Sequence, residues 1–346
     1  MKSIVIHRYG PPDVLQFEDV PDPEPRAGEI RIKVHAASVN RVLDVAFRGG
    51  KQVQEGITLP VIPGVDCAGI VDRVGTGVTR WRIGDRAAAT GVMPLEPCAE
   101  NGAGYSGARG MLGVKRPGGF AQLVTVPAAV AAAIPEALGF HAAAVIMRHA
   151  PTAWKLLFDC AALKAEETIL VMGAGGNLGS IGIQIAKNVI GATVIAAAGS
   201  DDLVGLGLAL GADHGINYAT SEITAKVMGI TGGKGVDVLY DNVANPAVLP
   251  QAFRCLGRGG RMVTAGAHAG PVVAIDIAHL YRNDIAIRGT HGSNPADRAK
   301  CFAAAAAGQI RAQIAAVLPL SRAADAHRLI ESGEEQGKIV LDPTLD

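Results

Sequence analysis

The chain has 346 residues, and its 32 basic residues balance 32 acidic ones for a net charge of zero. With no basic cluster and no acidic tail, nucleic acid and anionic membrane are excluded as expected partners. The length suits about two domains, and no apolar run reaches the ~18 residues of a membrane helix.

In chain order, the opening segment MKSIVIHRYG alternates and reads as a first strand rather than a signal peptide. Short strands over 30–35, 68–74, 85–89 and 121–126 follow, punctuated by Pro and Gly, with turn signals at Gly28-Glu29 and Gly75-Thr76-Gly77. Their regular spacing predicts a compact β domain for residues 1–125. Residues 168–187, TILVMGAGGNLGSIGIQIAK, then read as strand, glycine turn and helix in succession. The run 169–172 suits a strand buried on both faces. Gly173, Gly176 and Gly179 form a G-x-x-G-x-x-G turn, and apolar residues recur at Ile181, Ile185 and Val189. Such glycines allow a tight turn, close approach of a pyrophosphate to the backbone, and close packing of helix on strand. The helix N-terminus adds free N–H groups and a positive dipole.

A second strand over 192–198 leads to a helix capped at Ser200 and running through Leu210. Strands over 214–218, 236–241 and 261–266 follow, with a helix over 246–256 between the last two. This alternation predicts an α/β fold with a doubly wound parallel sheet. Ligands of such sheets bind at the carboxyl ends of the strands, which places Gly199, Asn242, Ala265 and Gly266 near a dinucleotide. The fingerprint adds Gly173, Gly176, Asn177, Leu178 and Gly179. An Ala-rich helix over 296–308, a strand, a helix and a final strand over 338–341 complete the chain. Five scattered cysteines (67, 98, 160, 255 and 301) include no C-x-x-C pair and read as reduced thiols in a cytoplasmic protein.

Several of these segments, in this order, resemble the medium-chain dehydrogenase/reductase superfamily. The matching motifs are PGVDCAG from Pro63, Gly75–Gly84 with Asp85, GGFA from Gly118, Thr152-Ala153-Trp154, the glycine fingerprint, Leu210-Gly211-Ala212-Asp213 and Gly337-Lys338-Ile339-Val340. The resemblance implies a GroES-like β-barrel catalytic domain (1–127 and 286–346) with a Rossmann domain (128–285) inserted, and an active site in the cleft between them. It also implies a homodimer or homotetramer, with 261–279 supplying the edge of the Rossmann sheet. Segments 47–60 and 280–295 are expected to line the substrate pocket, the glycines of the first suggesting a mobile lid.

A catalytic zinc needs about three ligands of Cys, His or carboxylate type. By the resemblance, these would fall on Asn40, Val65 and Arg148, none of which suits the metal. A structural zinc would need four Cys, but only Cys98 is present; the other positions are Asn101, Gly104 and Leu112. No zinc is therefore expected. Without a Lewis acid, an activated alkene or quinone is an easier substrate than a saturated alcohol, because hydrogen-bond donors suffice to hold an enolate. The segment Val39-Asn40-Arg41 with Asp44 resembles the zinc-independent quinone oxidoreductase branch.

The reading is NAD(P)H-dependent reduction of a quinone or α,β-unsaturated carbonyl compound. The alternatives are an alcohol or aldehyde dehydrogenase of the same superfamily, kept open by Leu43-Asp44-Val45 and 327–333, and a non-catalytic cofactor-binding protein. Candidate catalytic residues are Asn40 (amide donor or turn residue), Asp44 (orienting acceptor), Arg148 (enolate or acid binding, or an ion pair to Asp66 or Asp44), His149 (proton donor or structural) and, by resemblance, Thr152. Tyr105 either reaches the cleft or anchors its loop. Ala198-Gly199-Ser200 lacks the carboxylate that selects NAD, and with Tyr218 this favours NADP(H). The absence of Lys or Arg from 188 to 225, with Asp201 and Asp202 nearby, opposes it. Lys338, in the terminal motif, is counted with the cofactor residues.

Overall fold

The computed structural model of the chain describes residues 1–51, 57–96, 108–333 and 335–346. The chain divides into two compact units, Met1–Arg148 with Ala312–Asp346, and His149–Arg311. The second unit thus lies within the first in sequence, its ends at 149 and 311 where 128 and 285 were expected for the inserted domain. Residues 128–148 stay with the first unit because Ala132–Ala133 pairs with an inner strand there. Residues 286–311 stay with the second because Ala286–Gly289 extends its sheet.

In the first unit, β1 (Lys2–Ile6) pairs antiparallel with β2 (Leu15–Asp19), so the N-terminus is a strand as its alternation predicts. The main sheet is built on β3 (Glu29–Ser38), β4 (Asp66–Val74) and β5 (Arg86–Thr90), followed by the small hairpin β6 (Val92–Pro94) and β7 (Arg109–Met111). Strand β8 (Leu123–Pro127) pairs with β3, and β9 (Ala132–Ala133) with β5. A short helix α1 (Ala46–Arg48) follows β3, and α2 (Phe140–Lys155) crosses the boundary between the units.

The second unit is a six-stranded parallel sheet. Its strands are β10 (Thr168–Met172), β11 (Thr193–Ala198), β12 (His214–Asn217), β13 (Val236–Tyr240), β14 (Leu256–Thr264) and β15 (Ala286–Gly289), in spatial order β12-β11-β10-β13-β14-β15. Helices α3 (Asn177–Gln184), α4 (Asp201–Ala209), α5 (Ile223–Ile230), α6 (Leu249–Arg254), α7 (Ile277–Arg282) and α8 (Pro295–Ala306) connect or follow them. Strand β10 is buried over Ile169–Met172 because it lies between β11 and β13. The edge opposite β12 is β15, not 261–279: after β14 the chain forms α7 and returns parallel beside β14. Among the described residues no helix is long and apolar enough to cross a membrane.

The chain returns to the first unit through β16 (Ile314–Pro319), α9 (Ala323–Ser332) and β17 (Lys338–Asp342), the last pairing with β3. The core here joins Ile4, Ile30, Val124 and Phe120 to Ala326 of α9 and Ile339 of β17. His327 is fully buried in it, with the Phe120 ring 6.1 Å away edge-on, and neither ring nitrogen has a hydrogen-bond partner among the described residues. Burial, assisted by the Arg48 charge, pushes its pKa down from 6.5 to about 3. Below pH 6.5 the unfolded chain therefore takes up a proton that the folded chain refuses, so stability falls as pH drops through that window. Between pH 6.5 and 5, the wild type is expected to lose roughly 1.5–2 kcal/mol more than His327→Leu. Denaturant unfolding at both pH values checks this; equal losses would contradict it.

Candidate active site

The glycine turn follows directly from β10. Gly173 has φ +68, in the left-handed region that glycine tolerates, and its carbonyl accepts the Gly176 N–H at 2.9 Å. Helix α3 starts at Asn177 with no side-chain cap, so its first N–H groups are available to an anion. A Cβ on Gly179 would lie 2.3 Å from the Gly173 carbonyl oxygen, so only glycine lets the helix sit this close to the turn. The Tyr240 hydroxyl donates to the Leu178 carbonyl at 3.1 Å and fixes the helix start from the neighbouring strand.

The carboxyl ends of the parallel strands carry the other predicted cofactor residues. Gly199 lies against the Tyr218 ring, which its Cβ would approach to 3.3 Å. Ser200 caps α4 by accepting the Leu203 N–H at 3.4 Å. Beyond β13, Asn242 is almost fully buried: its Oδ1 accepts the Ala265 N–H at 2.7 Å. Its Nδ2 is sealed from solvent without a partner among the described residues. Gly266 packs on the Asn242 backbone, where a Cβ would come within 3.0 Å of its carbonyl oxygen. Because β10 to β14 run parallel in neighbouring register, these residues share one end of the sheet. Uncapped helix N–H groups and a cradle that one methyl would fill suit a dinucleotide.

The first unit holds a buried polar cluster at the end of β3. Asp66, fully buried, accepts the Ser38 N–H and hydroxyl, each at 2.6 Å. The Asn40 Nδ2 group reaches the Asp66 and Asp44 carboxylates and the Ser38 carbonyl, each at 3.0 Å. Asp44 also accepts the Asn40 N–H at 2.8 Å and the Gly64 N–H at 3.2 Å. The ammonium of Lys338 donates to Asn40 Oδ1 and, at 3.1 Å, to the Val39 carbonyl. Burial, then the neighbouring Asp66 charge, raises the pKa of Asp44; burial lowers that of Lys338.

Arg148 completes the balance of two acids and two cations. It is half-buried, interacts electrostatically with Asp66 and Asp44, and is pushed down in pKa chiefly by burial. His149 and Thr152 follow it on α2, both half-buried. Asn40, Asp44 and Arg148 thus come together, and the Asn40 amide is engaged within the protein. Lys338, counted from the sequence with the cofactor residues, lies in this cluster. Sequence reading missed Ser38 and the Gly64 N–H as donors; a lone polar residue at the end of an apolar strand was the available signal for Ser38.

A catalytic zinc does not fit this donor set. Asn40 and both carboxylates are occupied by hydrogen bonds, Val65 is aliphatic, and Arg148 and Lys338 would repel a dication. Among the described residues, no group of three or more His, Cys, Asp or Glu side chains is placed to hold a metal. Cys98, Asn101, Gly104 and Tyr105 lie outside the described residues, as does part of the 47–60 segment.

Two family models match the chain: the alcohol dehydrogenase GroES-like domain over residues 26–136, and the zinc-binding dehydrogenase over residues 177–307. A quinone oxidoreductase of Salmonella typhimurium is 31% identical, covering 98% of this chain and 99% of the relative. A 2-haloacrylate reductase of a Burkholderia species is 29% identical over 99% of this chain and 98% of its own. The crystal structure of an NAD-dependent alcohol dehydrogenase superposes with a TM-score of 0.88 at 32% identity, covering 99% of each chain. With these motifs on this fold, the chain belongs to the medium-chain dehydrogenase/reductase superfamily.

Proposed function

We propose that the protein is an NAD(P)H-dependent, zinc-independent reductase of quinones or α,β-unsaturated carbonyl compounds. The observation that carries this reading is the coexistence of an open glycine turn before α3 with a cluster in which Asn40, Val65 and Arg148 occupy the positions where the resemblance would put zinc ligands, with the Lys338 ammonium bound to Asn40. When bound, the cofactor supplies hydride to the electron-poor carbon of the substrate. The α3 N–H groups hold phosphate, and Asn242 shapes the same end of the sheet by accepting the Ala265 N–H. Arg148 provides positive charge for the oxygen that becomes negative. Asn40, Asp44, Asp66 and Lys338 hold one another in a buried network beside Arg148, on which the Asp66 and Asp44 charges act. His149 and Thr152 remain candidates for proton delivery and nicotinamide contact.

NADPH is favoured because no carboxylate stands at Gly199, while Asp201 accepts from Asn217 Nδ2 at 2.8 Å and so has a partner of its own. A cytoplasmic setting is supported by the unpaired state of Cys67, Cys160, Cys255 and Cys301. A homodimer is supported by the outer strand β15, exposed along its whole length, and by exposed Val272, Ile277 and Tyr281 nearby.

Chelator-treated protein is expected to oxidise NADPH with a quinone or a simple enone as fast as untreated protein, and faster than it oxidises NADH. Activity lost on chelation and restored by zinc would overturn the assignment.

A further inference from the structure

Most guanidinium groups drawn into this fold have a carboxylate partner. Arg31 meets Asp72 at 2.8 Å, Arg116 meets Glu29 at 2.5 Å and Arg261 meets Glu167 at 2.7 Å. Arg148 is different. It makes no hydrogen bond or ion pair with any described residue, and its Nε is sealed from solvent. The two carboxylates nearest in charge, Asp44 and Asp66, already take their donors from Ser38, Asn40 and Gly64. Lys338 is held by Asn40 and the Val39 carbonyl. The guanidinium fork is thus left over, next to a cluster that does not need it for hydrogen bonding. A planar guanidinium matches a carboxylate through paired N–H donors, and the Asp66 and Asp44 charges act on Arg148 without taking any of those donors.

We propose that Arg148 binds the carboxylate of the substrate, so that the enzyme takes α,β-unsaturated acids whose alkene is activated by an electron-withdrawing substituent. The inference rests on the reductase reading above and narrows its substrate class. In the step, the β-carbon gains hydride from the reduced nicotinamide and forms a new C–H bond. The alkene π pair moves to the α-carbon and into the carboxylate, whose growing charge Arg148 faces. A proton from water then completes the α-carbon, leaving the saturated acid and the oxidised cofactor. The name of the 2-haloacrylate reductase relative, 29% identical over 99% of this chain, is consistent with such a substrate.

The test pairs binding with turnover. Calorimetric titration of 2-chloropropionate and of its amide into the wild type with NADP+ is expected to give at least tenfold tighter binding of the acid. Arg148→Gln should weaken the acid about a hundredfold and Arg148→Lys less, with the amide little changed. Equal affinity for acid and amide in the wild type, or no binding of either, overturns the proposal, whatever becomes of the variants. Failure of the reductase reading has a separate signature: no NADPH oxidation with 2-chloroacrylate, its methyl ester or a neutral enone. Reduction of the neutral enone with no preference for the acid leaves that reading intact and sinks this one.

Discussion

Gly179→Ala is expected to weaken NADPH binding at least about a hundredfold, a loss of roughly 2.7 kcal/mol. The added Cβ would stand 2.3 Å from the Gly173 carbonyl oxygen and 3.0 Å from its carbon, both backbone atoms that no side-chain rotation can move. Either α3 shifts outward or the turn opens, and both displace the N–H groups meant for phosphate. Overpacking of this kind also costs about 1–3 kcal/mol of stability. Gly205→Ala is the matched control: it lies on α4 of the same unit, with nothing within 4 Å of the new Cβ. It should leave binding unchanged and stabilise by up to about 1 kcal/mol through helix propensity. Fluorescence titration with NADPH and denaturant unfolding decide the matter, and near-normal binding by Gly179→Ala would contradict the cradle assignment.

The second large effect is expected at Asn40. Asn40→Leu removes the one amide that donates to both Asp44 and Asp66 and accepts from Lys338. Two buried carboxylates lose a shared donor and a buried ammonium loses an acceptor, which should cost roughly 3–5 kcal/mol. Asn40→Asp keeps the size but adds a third negative charge, so its deficit should shrink as pH falls from 8 to 6, because protonation relieves the repulsion. A deficit below about 1 kcal/mol for Asn40→Leu would mean that the cluster tolerates the loss of its bridge.

The difference between the two sites also explains what the sequence could reveal. The strand, glycine turn and helix were legible because their requirements are local: Gly173, Gly176 and Gly179 lie within one short segment, and Gly179 is dictated by the adjoining backbone of Gly173. The parallel sheet followed from the alternation of strands with helices. The polar cluster was only half legible, since Asp66 and Lys338 reach Asn40 across 26 and 298 residues of sequence. The contact of Lys338 with Asn40 follows from the pairing of β17 with β3, which no local motif announces. Strand β14 begins at Leu256, five residues before the start expected at 261, and passes through Gly257, Gly259 and Gly260 with a register shift against β13. Strand β15 lay inside the 280–295 segment expected to line the substrate pocket, so the sheet edge was placed one strand too early.

The most direct test of the account is the fate of hydride carbon by carbon. NADPH carrying deuterium at the transferable C4 position is to be oxidised by the enzyme with an enone in ordinary water, and the product examined by NMR. The account predicts deuterium on the former β-carbon, protium from water on the α-carbon, and an intact carbonyl. Deuterium on the carbinol carbon of an unsaturated alcohol would contradict it and identify an alcohol dehydrogenase instead.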